Sequence, residues 1–375
     1  MKDTRMVTLA NRLLDYSVHL QKEEKILIEV MGQEGIPLAI ELMKKANTIG
    51  AYPFFNMIDY DLLKVMLQEA KEQQIKLYGQ QDLKRMEQMD AYIGISANPN
   101  RFELGNIPAE KMKWYQEYYL KPVYFEERTK HTKWCILRYP NRAMAQSAKM
   151  NTEQMEDFYF QACNLDYANM ANKMEPLVKR MNRTDKVHII GNGTDLTFSI
   201  KGIGAEKYVG NFNLPDGEVA TAPVRDSVNG VISYNTSSTY NGYSFDSIQL
   251  EFKKGKIIKA TANDTEKLNE ILNLDEGARY IGEFALGVNP FINAPIGDTL
   301  FDEKIKGSFH FTPGDSLEQS DNGNRSSLHW DLICIQTPEY GGGEIWFDDE
   351  LIRKDGRFIP NDLQGLNPEN LIKED

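Results

Sequence analysis

The apolar residues Leu9, Leu13, Tyr16 and Leu20 recur at spacings of four, three and four, the period of an amphipathic helix. KILIEV (25–30) then reads as a short buried strand. PLAIELMKKANTIGAYPFFNM (37–57) predicts a helix opened by Pro37 and closed near Gly50, followed by a strand. AYIGISAN (91–98) and KWCILRYP (133–140) are two further apolar strands. Strands alternating with helical stretches predict a mostly parallel sheet covered by helices, an α/β arrangement. Residues 151–182 read as one long helix, with a capping-box-like start at Asn151 or Thr152.

Beyond about residue 185 the pattern changes. KVHIIGNGTDLTFSIKG (186–202) alternates and is interrupted by Gly-Asn-Gly, a hairpin signal. Gly, Asn and Asp turns then recur to the C-terminus, with one helix predicted at DTEKLNEILN (264–273). The expected organisation is an N-terminal α/β domain over 1–185 and a β-rich, α+β C-terminal domain over 186–375, without internal repeats.

Composition narrows the function classes. A net charge of −12 argues against a nucleic-acid partner, because phosphate binding needs clustered Lys and Arg. The one basic run, KKGKIIK from Lys253, reads as a solvated hairpin. Three scattered cysteines, Cys135, Cys163 and Cys334, suit neither a disulfide framework nor a thiolate zinc site and fit a reducing cytoplasm. The start lacks the apolar stretch of a signal peptide, and no run approaches the ~18 apolar residues of a membrane span. A soluble cytoplasmic protein is expected. IGNGTDL (190–196) and YGGGE (340–344) are Gly-rich but lack the strand–GxGxxG–helix setting of a dinucleotide site, so both read as turns. The Met-rich stretch near 143–181 reads as core packing or a dimer face.

The second half places polar residues where apolar ones bury more easily. Glu218 follows a tight turn in LPDGEVATAP, Glu283 is the single carboxylate of YIGEFALGVNP, and Glu303 precedes His310 by seven residues in LFDEKIKGSFHF. In SSLHWDLICIQ (326–336), a predicted strand, His329 and Asp331 project from one face and Trp330 and Leu332 from the other. Imidazole and carboxylate side by side suit zinc, manganese, iron or cobalt. Three glutamates, an aspartate and two histidines suffice for two divalent ions, with a Glu able to bridge them. A lone His in a strand is more often structural, and spacing alone does not show that these side chains meet.

Five segments in order, NLPDGEVATAP, IGEFALGVNP, LFDEKIKGSFHF, NRSSLHWDLI and GGGEIWFDDELIRKDGRF, resemble the metalloaminopeptidases of the aminopeptidase T and PepS type. Weaker likeness lies in GAYPF (50–54) and in 139–163. The resemblance implies an N-terminal α/β domain, a C-terminal metal-binding domain, and a cytoplasmic homodimer whose sites face an enclosed cavity. It implies a hydrolase acting on short peptides with two divalent ions, zinc, cobalt or manganese, and a water between them. Residue by residue, the implied metal ligands are Glu218, Glu283, His310, His329 and Asp331, with Glu303 a sixth that needs a two-residue insertion to align. Glu283 is the candidate bridging ligand, and Glu218 or Glu283 the candidate proton carrier. Seven residues after His310 the family pattern expects a Tyr that donates to an oxyanion; here Leu317 stands there and cannot donate. Asn324, Arg325 and Tyr340 are polar residues near that segment. The same scaffold resembles ring-cleaving dihydroxypyridine dioxygenases, which would need only His310, His329 and Asp331 around one ferrous ion; Glu218 and Glu283 speak against that alternative. A non-catalytic binding protein is the third possibility.

Overall fold

The computed structural model describes residues 3–100 and 102–372. Backbone contacts divide the chain into a first unit, 1–164 with 210–214, and a second, 165–209 with 215–375. The change of sequence texture near 185 therefore falls inside the second unit.

The first unit is built on a five-stranded parallel sheet in the order Tyr52–Ile58, Lys25–Met31, Ala91–Ser96, Lys133–Arg138, Asn213–Leu214. The inner strands read as continuous apolar runs because helices cover the sheet. The helix Ile36–Ile49 carries Pro37 in its first turn and ends at Gly50, whose φ of 85° closes the last turn through a backbone bond to Ala46. The single helix expected over 151–182 is two, Thr152–Cys163 and Tyr167–Met181. Asn151 and Gln154 form the capping box of the first. Asp166 starts the second by accepting from the Asn169 N–H, so a new cap interrupts the apolar period, and the two helices belong to different units.

The second unit contains two large antiparallel sheets and the two-stranded ladder Ser238–Tyr240/Tyr243–Phe245. An eight-stranded sheet includes the hairpin Lys186–Gly191/Thr194–Ser199 and the hairpin Gln249–Lys253/Lys256–Thr261. The latter turns at Lys254 and Gly255, both at positive φ, so the basic run is indeed a hairpin. A five-stranded sheet runs in the order Ile333–Ile335, Ser308–Pro313, Ile281–Gly287, Glu218–Thr221, Glu206–Tyr208. The helix foreseen near 264–273 is Thr265–Ile271, capped by Asp264.

Phenylalanines join the two sheets. Phe198 of the eight-stranded sheet lies 5.1 Å from both Phe284 and Phe311 of the five-stranded one, and Phe252 lies 5.9 Å from Phe311. Phe284 and Phe311 are cross-strand partners, and Thr221 lies opposite Phe284 on the other side. Side chains alternate, so residues one step along these strands must point away from this core.

Candidate metal centre

The opposite face of the five-stranded sheet carries the polar residues. In register across it lie Tyr208 opposite Glu218, Glu218 opposite Gly287, Ala285 opposite His310, and Glu283 opposite Thr312. A bulge between Ile281 and Glu283 adjusts the last pair. Small residues at Gly287 and Ala285 leave room between the longer side chains. The run 326–336 is less regular than expected. Only Ile333–Ile335 is ladder, and His329 makes a single bridge to Gly314. The alternation nevertheless holds: the rings of Tyr240 and Phe245 pack on Trp330, while His329 Nε2 sits 3.3 Å from Asp331 Oδ1.

Two groups of potential ligands share one residue. Glu218, Glu283 and His310 each offer a ligand atom within 4.8 Å of the others, and so do Glu283, His329 and Asp331. Glu283 Oε1 is 3.4 Å from His310 Nε2, and Glu283 Oε2 is 3.2 Å from His329 Nε2, so its two oxygens serve different groups. Neither group contains Glu303. Its Oε1 lies 2.9 Å from Lys304 Nζ, and the same ammonium is 2.5 Å from Glu218 Oε1 and 3.5 Å from Asp216 Oδ1.

The donor set fits a divalent cation on three counts. Glu218 Oε2 and His310 Nδ1 are buried, face each other at 3.7 Å, and have no hydrogen-bond partner. Such orphaned groups are costly unless something binds them. His329 Nδ1 is 2.9 Å from the Asp315 carbonyl, which can only accept, so Nδ1 carries a proton and Nε2 is aimed at Glu283 and Asp331. A lone pair aimed at two carboxylates demands a proton or a metal between them. Thr312 Oγ1 donates to Asp331 Oδ1 at 2.8 Å and fixes that carboxylate.

Electrostatics tell the same story. Burial lowers the affinity of His310 for a proton, but the charge of Glu218 and the contact with Glu283 outweigh it and push its pKa to about 10. His329, likewise desolvated, is raised well above its usual range by Asp331 and Glu283. Burial would raise Glu283, yet hydrogen bonds from the two histidines hold it at about 2. Burial wins at Glu218, raised to about 7 despite Lys304 and His310, and at Glu303, raised well above the carboxylate range. Without a metal, protons on the histidines take the place of cations.

Lys304, Asp216, Thr312 and Tyr208 escaped the sequence reading. Thr312 lies two residues after His310 on the same strand, an i,i+2 signal that strand alternation makes visible; Asp216 lies before the strand that begins at Glu218. Lys304 and Tyr208 had no such signal. Leu317 is half-buried at the start of a short turn. Asn324 donates to the Gly277 and Gly314 carbonyls, and Arg325 is held by Asp321 and Ser316, so both secure loops.

A helix-flanked parallel sheet followed by an antiparallel unit with a carboxylate–histidine centre defines a two-unit metalloprotein class. The model of the thermophilic metalloprotease (M29) family matches residues 2–358, and the chain belongs to that family. Aminopeptidase AmpS of Bacillus subtilis (strain 168) is 30% identical over 182 residues, 44% of this chain and 43% of the relative. Aminopeptidase T of Thermus aquaticus is 31% identical over 202 residues, 48% of each. The chain thus spans about half the length of the curated relatives it matches. Among solved structures, wild-type AmpT from Thermus thermophilus superposes with a TM-score of 0.77 at 23% identity, covering 96% of this chain and all of that one. The 2,5-dihydroxypyridine dioxygenase of Pseudomonas putida KT2440 superposes with a TM-score of 0.61 at 12% identity, covering 97% and 99%. Both likenesses concern the fold.

Proposed function

We propose that this protein is a metal-dependent aminopeptidase that releases N-terminal residues from short peptides. The observation that carries the reading is Glu283, whose two oxygens face two different histidines, each with a further carboxylate at hand. Glu218, Glu283, His310, His329 and Asp331 would hold two divalent ions, zinc, cobalt or manganese, all within a catalytic domain over 186–375. When bound, such ions polarise a scissile carbonyl and acidify a water held between them.

The chain's own side chains supply the rest. Glu218 or Glu283 would take the proton of the attacking water and pass it to the leaving amine. The cluster's carboxylates favour the ammonium group of a peptide's N-terminus. Leu317 provides no oxyanion donor; Tyr208, across from Glu218 on the same face, is our candidate for that part.

A cytoplasmic homodimer completes the proposal. Three buried free cysteines suit a reducing compartment. The edge strand Tyr52–Ile58 exposes Tyr52, Phe54, Phe55 and Met57, and Phe55 is 68% exposed, an apolar edge suited to a second copy. Among the described residues, no helix is long and apolar enough to cross a membrane.

The test is hydrolysis of aminoacyl-nitroanilides after chelation and re-addition of zinc, cobalt or manganese. Absence of turnover with every metal rejects the peptidase reading. The dioxygenase alternative has His310, His329 and Asp331 in its favour and predicts one iron per chain; two bound ions exclude it.

A further inference from the structure

We infer that Lys304 is a built-in cation of this centre, one that withholds Glu303 and one oxygen of Glu218 from the ligand set and opposes the divalent ions it sits beside. The inference rests on the proposed metal-binding reading. Lys304 is 1% exposed, and its ammonium touches Glu218 and Glu303, with Asp216 slightly further off. The ring of Tyr208 closes the remaining side, its centroid 5.9 Å from Nζ. Buried lysines persist only when paired, and this one is paired threefold.

The geometry divides the labour of the carboxylates. Glu218 spends Oε1 on Lys304 and keeps Oε2 for the side of His310. Glu303 turns toward the ammonium of its own sequence neighbour and stands outside both ligand groups. Fully ionised, the five carboxylates Asp216, Glu218, Glu283, Glu303 and Asp331 would be balanced by Lys304 and two divalent ions. Lys304 is a permanent positive charge paired with three of these carboxylates, so it stabilises the cluster before any ion enters. Once ions enter, the same charge repels them.

The inference makes Lys304 a positioning residue, and binding rather than turnover tests it. Zinc or cobalt affinity would be measured by competition with a chromophoric chelator, alongside ions bound per chain and the thermal midpoint without metal. Lys304→Met should bind ions roughly tenfold more tightly or better, since a unit charge a few ångströms away is gone, and its metal-free midpoint should fall. Glu303→Gln should keep the same number of ions and an affinity within about threefold of the parent. Equal or weaker binding by Lys304→Met overturns the inference. So does loss of an ion, or a thirtyfold weaker affinity, in Glu303→Gln, which would make Glu303 a ligand. If Lys304→Met does not fold without metal, Glu303→Gln alone decides. A parent protein that binds no divalent ion rejects both readings, whereas binding without peptide hydrolysis rejects only the peptidase.

Discussion

Each unit buries a carboxylate on a strand of its sheet, and the two are treated in opposite ways. In the first unit Glu29, 1% exposed, accepts from the hydroxyls of Tyr92 at 2.8 Å and Tyr124 at 2.7 Å and from Asn56 Nδ2 at 2.8 Å. The Arg128 guanidinium lies 5.2 Å from each tyrosine ring. In the second unit Glu283 meets two histidine nitrogens, and neighbouring Glu218 keeps an oxygen with no hydrogen-bond partner. Neutral donors that satisfy a carboxylate fully make a structural joint. Acceptors crowded against one another, with orphans left over, make a place for a cation. Burial alone does not separate the two; the kind of partner does.

The contrast is most exposed to failure at Glu283. Glu283→Gln should lower aminoacyl-nitroanilide turnover by on the order of 10³-fold or more and remove bound metal, because both ligand groups lose their common member. Retained metal content would show that the shared position is incidental. Tyr208→Phe should lower kcat by roughly 10²-fold with little change in KM, the signature of a lost oxyanion donor, as steady-state kinetics can check.

Acidity provides a third measurement. Both histidines titrate high in the metal-free centre, His310 at about 10, and a ligating imidazole must be neutral. Metal affinity should therefore climb between pH 6 and 8.5 by about tenfold per unit for each proton expelled, and calorimetry in buffers of different ionisation heat should count those protons. The metal-free protein should behave in the opposite sense. A histidine whose pKa is raised on folding stabilises fully below its unfolded pKa of about 6.5, and that contribution disappears as pH rises toward 10. The smallest functional effect belongs to the first unit. Glu29→Leu removes the acceptor of the Tyr92 and Tyr124 hydroxyls, leaving Tyr124 only its contact with the Tyr119 hydroxyl, and should cost roughly 2–3 kcal/mol in denaturant unfolding while metal affinity stays unchanged. Altered metal binding in that variant would erase the distinction between the two carboxylates.

The sequence made some of this legible and hid the rest for physical reasons. The pairing of His329 with Asp331 followed from strand alternation and survives even where the ladder is interrupted. The parallel sheet, the hairpin at Lys254–Gly255 and the helix near 265 were readable because each depends on neighbours in sequence. The meeting of Glu218 with Glu283 and His310 depends on which strands lie side by side, and no spacing encodes that order; only the family resemblance pointed to it. Lys304 was invisible for a further reason. It follows a single helical turn, Thr299–Asp302, and precedes the next strand, so no period assigns it a side, and a lysine next to a glutamate reads as solvated surface. The break at residues 164–166 was hidden because Asp166 resembles any polar helix position until its cap is seen.

On the strand Ser308–Pro313, His310 faces the carboxylates Glu218 and Glu283 while Phe309 and Phe311, its immediate neighbours, face the oily interior. A slip of that strand by a single residue would drive a phenylalanine among the carboxylates and an imidazole into hydrocarbon. Chemistry and topology are thus locked to one alignment of backbone. Uptake of a coloured ion such as cobalt becomes a spectroscopic clock for when this half of the molecule has found its proper strand pairing.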